Sequence, residues 1–239
     1  VFSSNIFLIY FLPIFLIFYF ISPKKWRNVV LLLFSLVFYA YGAPDFILLL
    51  VGSCVANFYL VKLMHNSENK LTKKLYCAAA IIISLGLLIY YKYANFFIDN
   101  INLLLEVFGT HAITFAKVLL PIGISFFTFQ SITYVIDTYR GNNQPMERLH
   151  DYVLYIMMFP QLIAGPIVRY CDIEQEIRHR DYNWEEVIHG FYRFIIGLSK
   201  KVLISDVIGI QVDKMLAGDV ALFDSGTAWI TIIGYTMQL

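Results

Sequence analysis

Residues 152–168 read Tyr152-Val-Leu-Tyr-Ile-Met-Met-Phe-Pro-Gln-Leu-Ile-Ala-Gly-Pro-Ile-Val168, an uncharged run. A helix that crosses a bilayer needs about 20 mostly apolar residues, with a range of roughly 17–25. By length this run qualifies. Its composition argues against a simple crossing, because Pro160, Gly165 and Pro166 fall close together. Proline removes a backbone donor, and it disfavours helix in the residue before it. The flanks add a second argument. Arg140 and Arg148 precede the run, and Arg169, Arg178 and Arg180 follow it. Basic residues collect on the cytoplasmic side of membrane proteins, so a crossing helix would place one of these groups outside. The sequence therefore predicts a re-entrant segment that dips into the membrane and returns to the cytoplasmic side. Broken backbone at that depth is tolerated where protein or a water-filled cavity covers it. The plainer alternative is a proline-kinked span.

Working outward, five further charge-free runs approach spanning length: 1–23, 28–44, 46–61, 75–91 and 118–136. Lys24, Lys25 and Arg27 lie between the first two, and Lys62, Lys70, Lys73 and Lys74 precede the fourth. Placing both groups in the cytoplasm puts the N-terminus outside. Residues 92–117 mix Lys92, Asp99, Glu106 and Lys117 with apolar residues, which predicts one or two short helices along the outer interface. Residues 169–190 read as a cytoplasmic segment leading to an amphipathic interfacial helix. Asn183 is a good N-cap with Glu186 three residues on, and Trp184, Val187, Ile188, Phe191, Ile195 and Leu198 recur at helical spacing. Lys200 and Lys201 then mark a cytoplasmic edge, Val202 to Ala217 rises outward, and a further crossing begins near Ala228. The expectation is an all-α, polytopic transmembrane bundle: a single membrane domain over 1–239, truncated at its C-terminus, with no cleaved signal peptide.

Composition agrees. Of 239 residues, 59% are hydrophobic and 15% charged, with a net charge of +1. Soluble domains carry about 25% charged residues. A soluble globular enzyme, a disordered chain and a basic nucleic-acid binder are all disfavoured. The cysteines Cys54, Cys77 and Cys171 are too scattered for a disulfide framework, and no Cys/His spacing suggests a metal site.

Signatures of soluble enzymes are missing: no P-loop, no G-x-G-x-x-G, no G-x-S-x-G, no H-E-x-x-H. His65, His111, His150, His179 and His189 all lie outside the neutral runs, and none has an Asp five residues on. Within run 118–136, Ser125, Thr128, Gln130, Ser131, Thr133 and Tyr134 need partners in lipid, so they should face other helices or a cavity.

Four blocks carry a family resemblance: the opening Val1-Phe-Ser-Ser-Asn5, Leu120-Pro-Ile-Gly-Ile-Ser-Phe-Phe-Thr-Phe-Gln130, Phe159-Pro-Gln-Leu-Ile-Ala-Gly-Pro-Ile167, and Gly197-Leu-Ser-Lys-Lys201. Together they cover the chain, which resembles the membrane-bound O-acyltransferases, nearest to the bacterial alginate O-acetylation branch. The resemblance implies a many-helix inner-membrane enzyme with a central tunnel. An acyl group, acetyl by expectation, passes from a cytoplasmic donor such as acetyl-CoA or another thioester to an exported polysaccharide such as alginate. Periplasmic or extracellular acetyl-transfer proteins are the implied partners, with no bound cofactor, no metal and no nucleic acid. The family's catalytic His lies on a later segment beyond Leu239, and no His here matches it, so this chain resembles the N-terminal half and carries no catalytic residue of its own. It implies positioning roles instead. Gln161 suits a hydrogen bond to a carbonyl, or orientation of that His. Gly165 allows close backbone approach. Gln130, Pro160 and Pro166 shape the tunnel. Arg169, Lys200 and Lys201 suit donor phosphates. For the basic residues the plain reading is topological, and for Gln130 it is interhelical hydrogen bonding. A membrane transporter or flippase with a re-entrant gate is the alternative, since polar residues and broken helices also mark such proteins.

Overall fold

The computed structural model describes residues 2–111, 113–162, 165–179, 183–218 and 223–238. Arg180, Ile163 and Ala164 lie outside these. Among the described residues every regular element is helical. They form two compact bodies, Phe18–Arg180 and a second of Val1–Ile17 with Asp181–Leu239. The N-terminal helix, π-helical over Ile6–Phe11 and then α1 (Leu12–Ile21), belongs in part to each.

The body of residues 18–180 holds α2 (Arg27–Gly42), α3 (Ile47–Asn66), α4 (Lys70–Val107), α5 (Ile124–Arg140), α6 (Leu149–Met157), α7 (Phe159–Leu162) and α8 (Tyr170–Arg178). Two of its helices are long and apolar enough to cross a membrane: Pro44–Asn66, which is α3 with its leading turn, and α4. Only 28% and 22% of their most apolar windows is buried. A core helix of a soluble protein would hide that surface. Here Leu48, Leu75, Ile82 and Phe96 point outward, as lipid-facing residues do.

The inward faces follow the helical repeat. On α3 the buried residues are Leu50, Cys54, Asn57, Phe58, Val61 and Met64. On α4 they are Cys77, Ala80, Ser84 and Leu88. On α5 the buried stripe includes Phe127, Thr128, Ser131, Tyr134, Val135 and Thr138, so its polar groups do turn toward protein. Asn57 Nδ2 donates to Ser84 Oγ at 3.0 Å and ties α3 to α4. A polar side chain in such a setting holds two helices in register, because its alternative partner is hydrocarbon.

One expectation needs correcting. Instead of a span over 75–91 followed by separate interfacial helices, α4 runs unbroken for 38 residues. Lys92, Asp99 and Glu106 are exposed, and exposed charges do not interrupt the backbone ladder; no proline lies between Lys70 and Val107. The chain then returns along α4 without helix. Asn102 accepts from the Ile113 N–H at 2.7 Å and donates to its carbonyl at 3.1 Å. Asn95 does the same to Val118, at 3.0 and 2.8 Å. Two asparagines seven residues apart stand on one face of the helix and satisfy the extended backbone in place of a strand.

In the other body, α9 (Trp184–Lys200) starts at the expected cap: Asn183 Oδ1 accepts from the Glu185 N–H at 3.1 Å. Lys200 and Lys201 do not end it. The chain passes through a π-helical stretch, Lys201–Ser205, into α10 (Asp206–Leu216). The last helix, α11 (Ser225–Gln238), starts a turn earlier than the sequence suggested, capped by Asp224 on the Thr227 N–H at 2.7 Å. α10 and α11 pack closely at Gly234. A Cβ there would stand 2.7 Å from Val212 Cγ2.

Candidate substrate-positioning site at a broken helix

Run 152–168 is not one rod. α6 stops at Met157, Met158 turns extended with ψ 114°, and α7 restarts at Phe159. Pro160 explains the break, since a helix continued through it would clash with the carbonyl of Ile156. As the second residue of α7, its missing N–H is one that a helix start leaves unpaired anyway. Beyond the undescribed pair, Gly165 has φ +119°, a conformation that L side chains rarely adopt. Gly165 to Arg169 then run without helix into α8.

A break inside a packed body must find new partners for its backbone. The Phe159 N–H would normally bond the Tyr155 carbonyl. It donates instead to Ser35 Oγ on α2, at 3.2 Å, and the Ser35 hydroxyl in turn donates to the Leu31 carbonyl at 2.7 Å. The released Tyr155 carbonyl accepts Gln161 Nε2 at 2.6 Å and Gln130 Nε2 at 3.4 Å. The two glutamines singled out from sequence therefore meet at one backbone oxygen. The carbonyl that Gln161 engages is the chain's own.

The far side is fastened twice. Tyr155 Oη donates to the Val168 carbonyl at 3.0 Å. Arg169 grips Asp137, at the end of α5, with three contacts of 2.9–3.2 Å. The Asp137 side chain is 10% exposed and that of Arg169 48%. Hydrogen bonding and charge from Asp137 raise the Arg169 pKa above the usual guanidinium value. Arg169 is thus committed to a carboxylate that the sequence reading overlooked. Lys200 and Lys201 belong to the other body, where Lys201 Nζ pairs with Asp206 at 2.7 Å.

Both ends of the broken segment come to one residue. Asn28 Nδ2, in the first turn of α2, donates to the Ile177 carbonyl at 2.8 Å and to Asp151 Oδ1 at 3.2 Å. The chain leaves at Asp151 and is back by Ile177. Inside the loop Tyr134, Tyr152, Tyr155 and Tyr170 form a closed aromatic cluster, with ring centroids 4.9–6.5 Å apart. All four are at most 2% exposed. Of these four, the sequence reading singled out Tyr134 alone as needing a partner. The missed signal is the spacing of Tyr152 and Tyr155, neighbours on one helical face. Among the described residues no group of His, Cys, Asp and Glu is placed to hold a metal ion.

Helices with outward apolar faces, a polar inner seam and a broken segment fastened at both ends define a polytopic α-helical membrane protein. The chain is similar along its whole length to curated relatives. It is 38% identical over 240 residues to a Pseudomonas aeruginosa protein named "Probable alginate O-acetylase AlgI", covering 46% of that protein. It is 38% identical over 242 residues to the Azotobacter vinelandii protein of the same name, covering 48%. It is 32% identical over 280 residues to a peptidoglycan O-acetyltransferase of Helicobacter pylori, covering 50%. The chain belongs to their family, the membrane-bound O-acyltransferases. It spans about half the length of the curated relatives it matches. No family model and no solved structure matches it.

Proposed function

We propose that this chain is part of a membrane O-acetyltransferase that moves an acetyl group from a cytoplasmic thioester donor to an exported polysaccharide such as alginate, with periplasmic partner proteins completing the transfer. Names of relatives matched along the whole chain support the reaction class. The observation that carries the mechanism is the segment between Asp151 and Ile177, whose two ends meet at Asn28. Lys24 and Lys25 stand just before Asn28 in sequence. A segment that enters and leaves beside them is re-entrant from the cytoplasmic side, in the inner membrane with the N-terminus outside.

Acyl transfer from a thioester to a hydroxyl needs a base or an acyl-carrying nucleophile, and no residue of this chain is assigned that role. Its share is positioning. Gln130 and Gln161 pin the end of α6, Gly165 lets a ligand approach bare backbone, and Pro160 and Pro166 keep the passage open. Arg169 holds the far wall through Asp137. The test is complementation of an alginate-producing strain that lacks its own O-acetylase. The complete gene containing this sequence should restore polymer O-acetyl content. Polymer acetylation that stays at background in membranes holding the protein would overturn the reading. Substrate flux without acyl transfer would favour a transporter.

A further inference from the structure

Beside Asn28, on the outside of the broken segment, lies a cavity of about 370 Å³. Small-molecule sites occupy roughly 300–1,000 Å³. Lys24 and Lys25 line it from the turn before α2, Arg148 from the start of α6, and Arg178 from the end of α8. Among the described residues, two carboxylates, Glu147 and Asp151, line it with them. Asp151 is already engaged by Asn28 at 3.2 Å and faces His150 at 3.4 Å. Arg178 shares its charge with Glu174 at 2.9 Å. With Arg178 set against Glu174, Lys24, Lys25 and Arg148 face two carboxylates among the described residues, so the lining keeps a net positive charge that suits a phosphate group.

The helix ends reinforce this. α2 and α6 both start without a side-chain cap, and residues of both first turns, Asn28, His150 and Asp151, line the space. The positive end of each helix dipole favours an anion. The C-terminal end of α8 opposes this, and Arg178 in its last turn offsets it.

We propose that this cavity binds the phosphate group of a cytosolic or membrane ligand, with Lys25 and Arg148 as its principal contacts. Two sources carry that chemistry. A soluble phosphoanhydride such as the nucleotide part of an acyl donor is one, and this choice rests on the acyl-transfer reading above. The headgroup of an anionic lipid is the other, and it does not.

The probe is inorganic pyrophosphate, titrated calorimetrically into the protein in phosphatidylcholine nanodiscs. Saturable binding is expected, weakened about tenfold or more in Lys25→Gln/Arg148→Gln and unchanged in Lys73→Gln, whose lysine does not line the cavity. Both altered side chains are exposed, and Lys25→Arg/Arg148→Lys, which keeps the charges, should restore most of the affinity. Repeating the titration with phosphatidylglycerol in the discs separates the sources. Competition seen in the parent and absent in the double variant assigns the lipid headgroup, and no competition assigns the soluble ligand. Absence of saturable pyrophosphate binding in phosphatidylcholine discs, or equal affinity in the Gln variant, overturns the site. The readout is independent of acetyl transfer, so it stands or falls apart from the proposed activity.

Discussion

In the body of residues 18–180, α6 alone buries Tyr152, Val153, Leu154, Tyr155, Ile156 and Met157. In the other body, α9 is longer and strongly amphipathic, yet none of its residues is buried. Phe191, Tyr192, Ile195 and Ile196 remain exposed there. Apolar content therefore does not by itself make a core. The difference lies in long-range pairing. α6 has α2, α3 and α5 against it, and side chains from Ser35 to Tyr170 close around its end. α9 is followed in sequence by its own continuation, and among the described residues of that body the close pairing is that of α11 with α10 and with the Lys201–Ser205 stretch.

Mutations can break or sharpen this contrast. The largest effect is expected from Tyr152→Ala, which deletes a fully buried ring and should cost about 3–5 kcal/mol. Phe191→Ala on α9 should change stability by less than about 0.5 kcal/mol. Denaturant unfolding in detergent compares them, and similar costs would erase the distinction. Gly234→Leu comes next. It drives a side chain into Val212 and should cost about 1–3 kcal/mol, read as loosened α10–α11 packing by cysteine cross-linking. A tolerated leucine would mean that this pair is not close-packed.

Gly165→Ala should cost about 1–3 kcal/mol through its backbone conformation, although a Cβ there meets nothing within 4 Å. A loss of that size with no steric contact isolates the conformational cause, and an unchanged melting temperature argues against the positive φ. Smaller still, Gln130→Ala and Gln161→Ala should each cost about 1 kcal/mol. Their double variant should exceed the sum, because it strips the Tyr155 carbonyl of both amides. Simple additivity would show that the two do not share that oxygen. If the broken segment positions substrate as proposed, the double variant of the complete protein should lose roughly 10–100-fold in acetylation assays.

Much of this was legible from residues. Pro160 and Pro166 announced the break, Asn183 announced the start of α9, and the polar groups of α5 announced an inward face. The fastenings were not legible, because Ser35 and Asn28 lie more than 120 residues from the backbone groups they hold. Asp137 was passed over because it sits just past the end of its neutral run. The full length of α4 was hidden by its charges, which mark a surface without ending a helix.

That length has a mechanical consequence. At 1.5 Å per residue α4 measures about 57 Å, against roughly 30 Å of hydrocarbon and 40–45 Å of whole bilayer. Even at a tilt of about 40° it projects roughly 44 Å along the membrane normal, well past the hydrocarbon core. One end of α4 therefore stands in the headgroup layer or past it, and the end that carries Asn95 and Asn102 is braced by the returning chain.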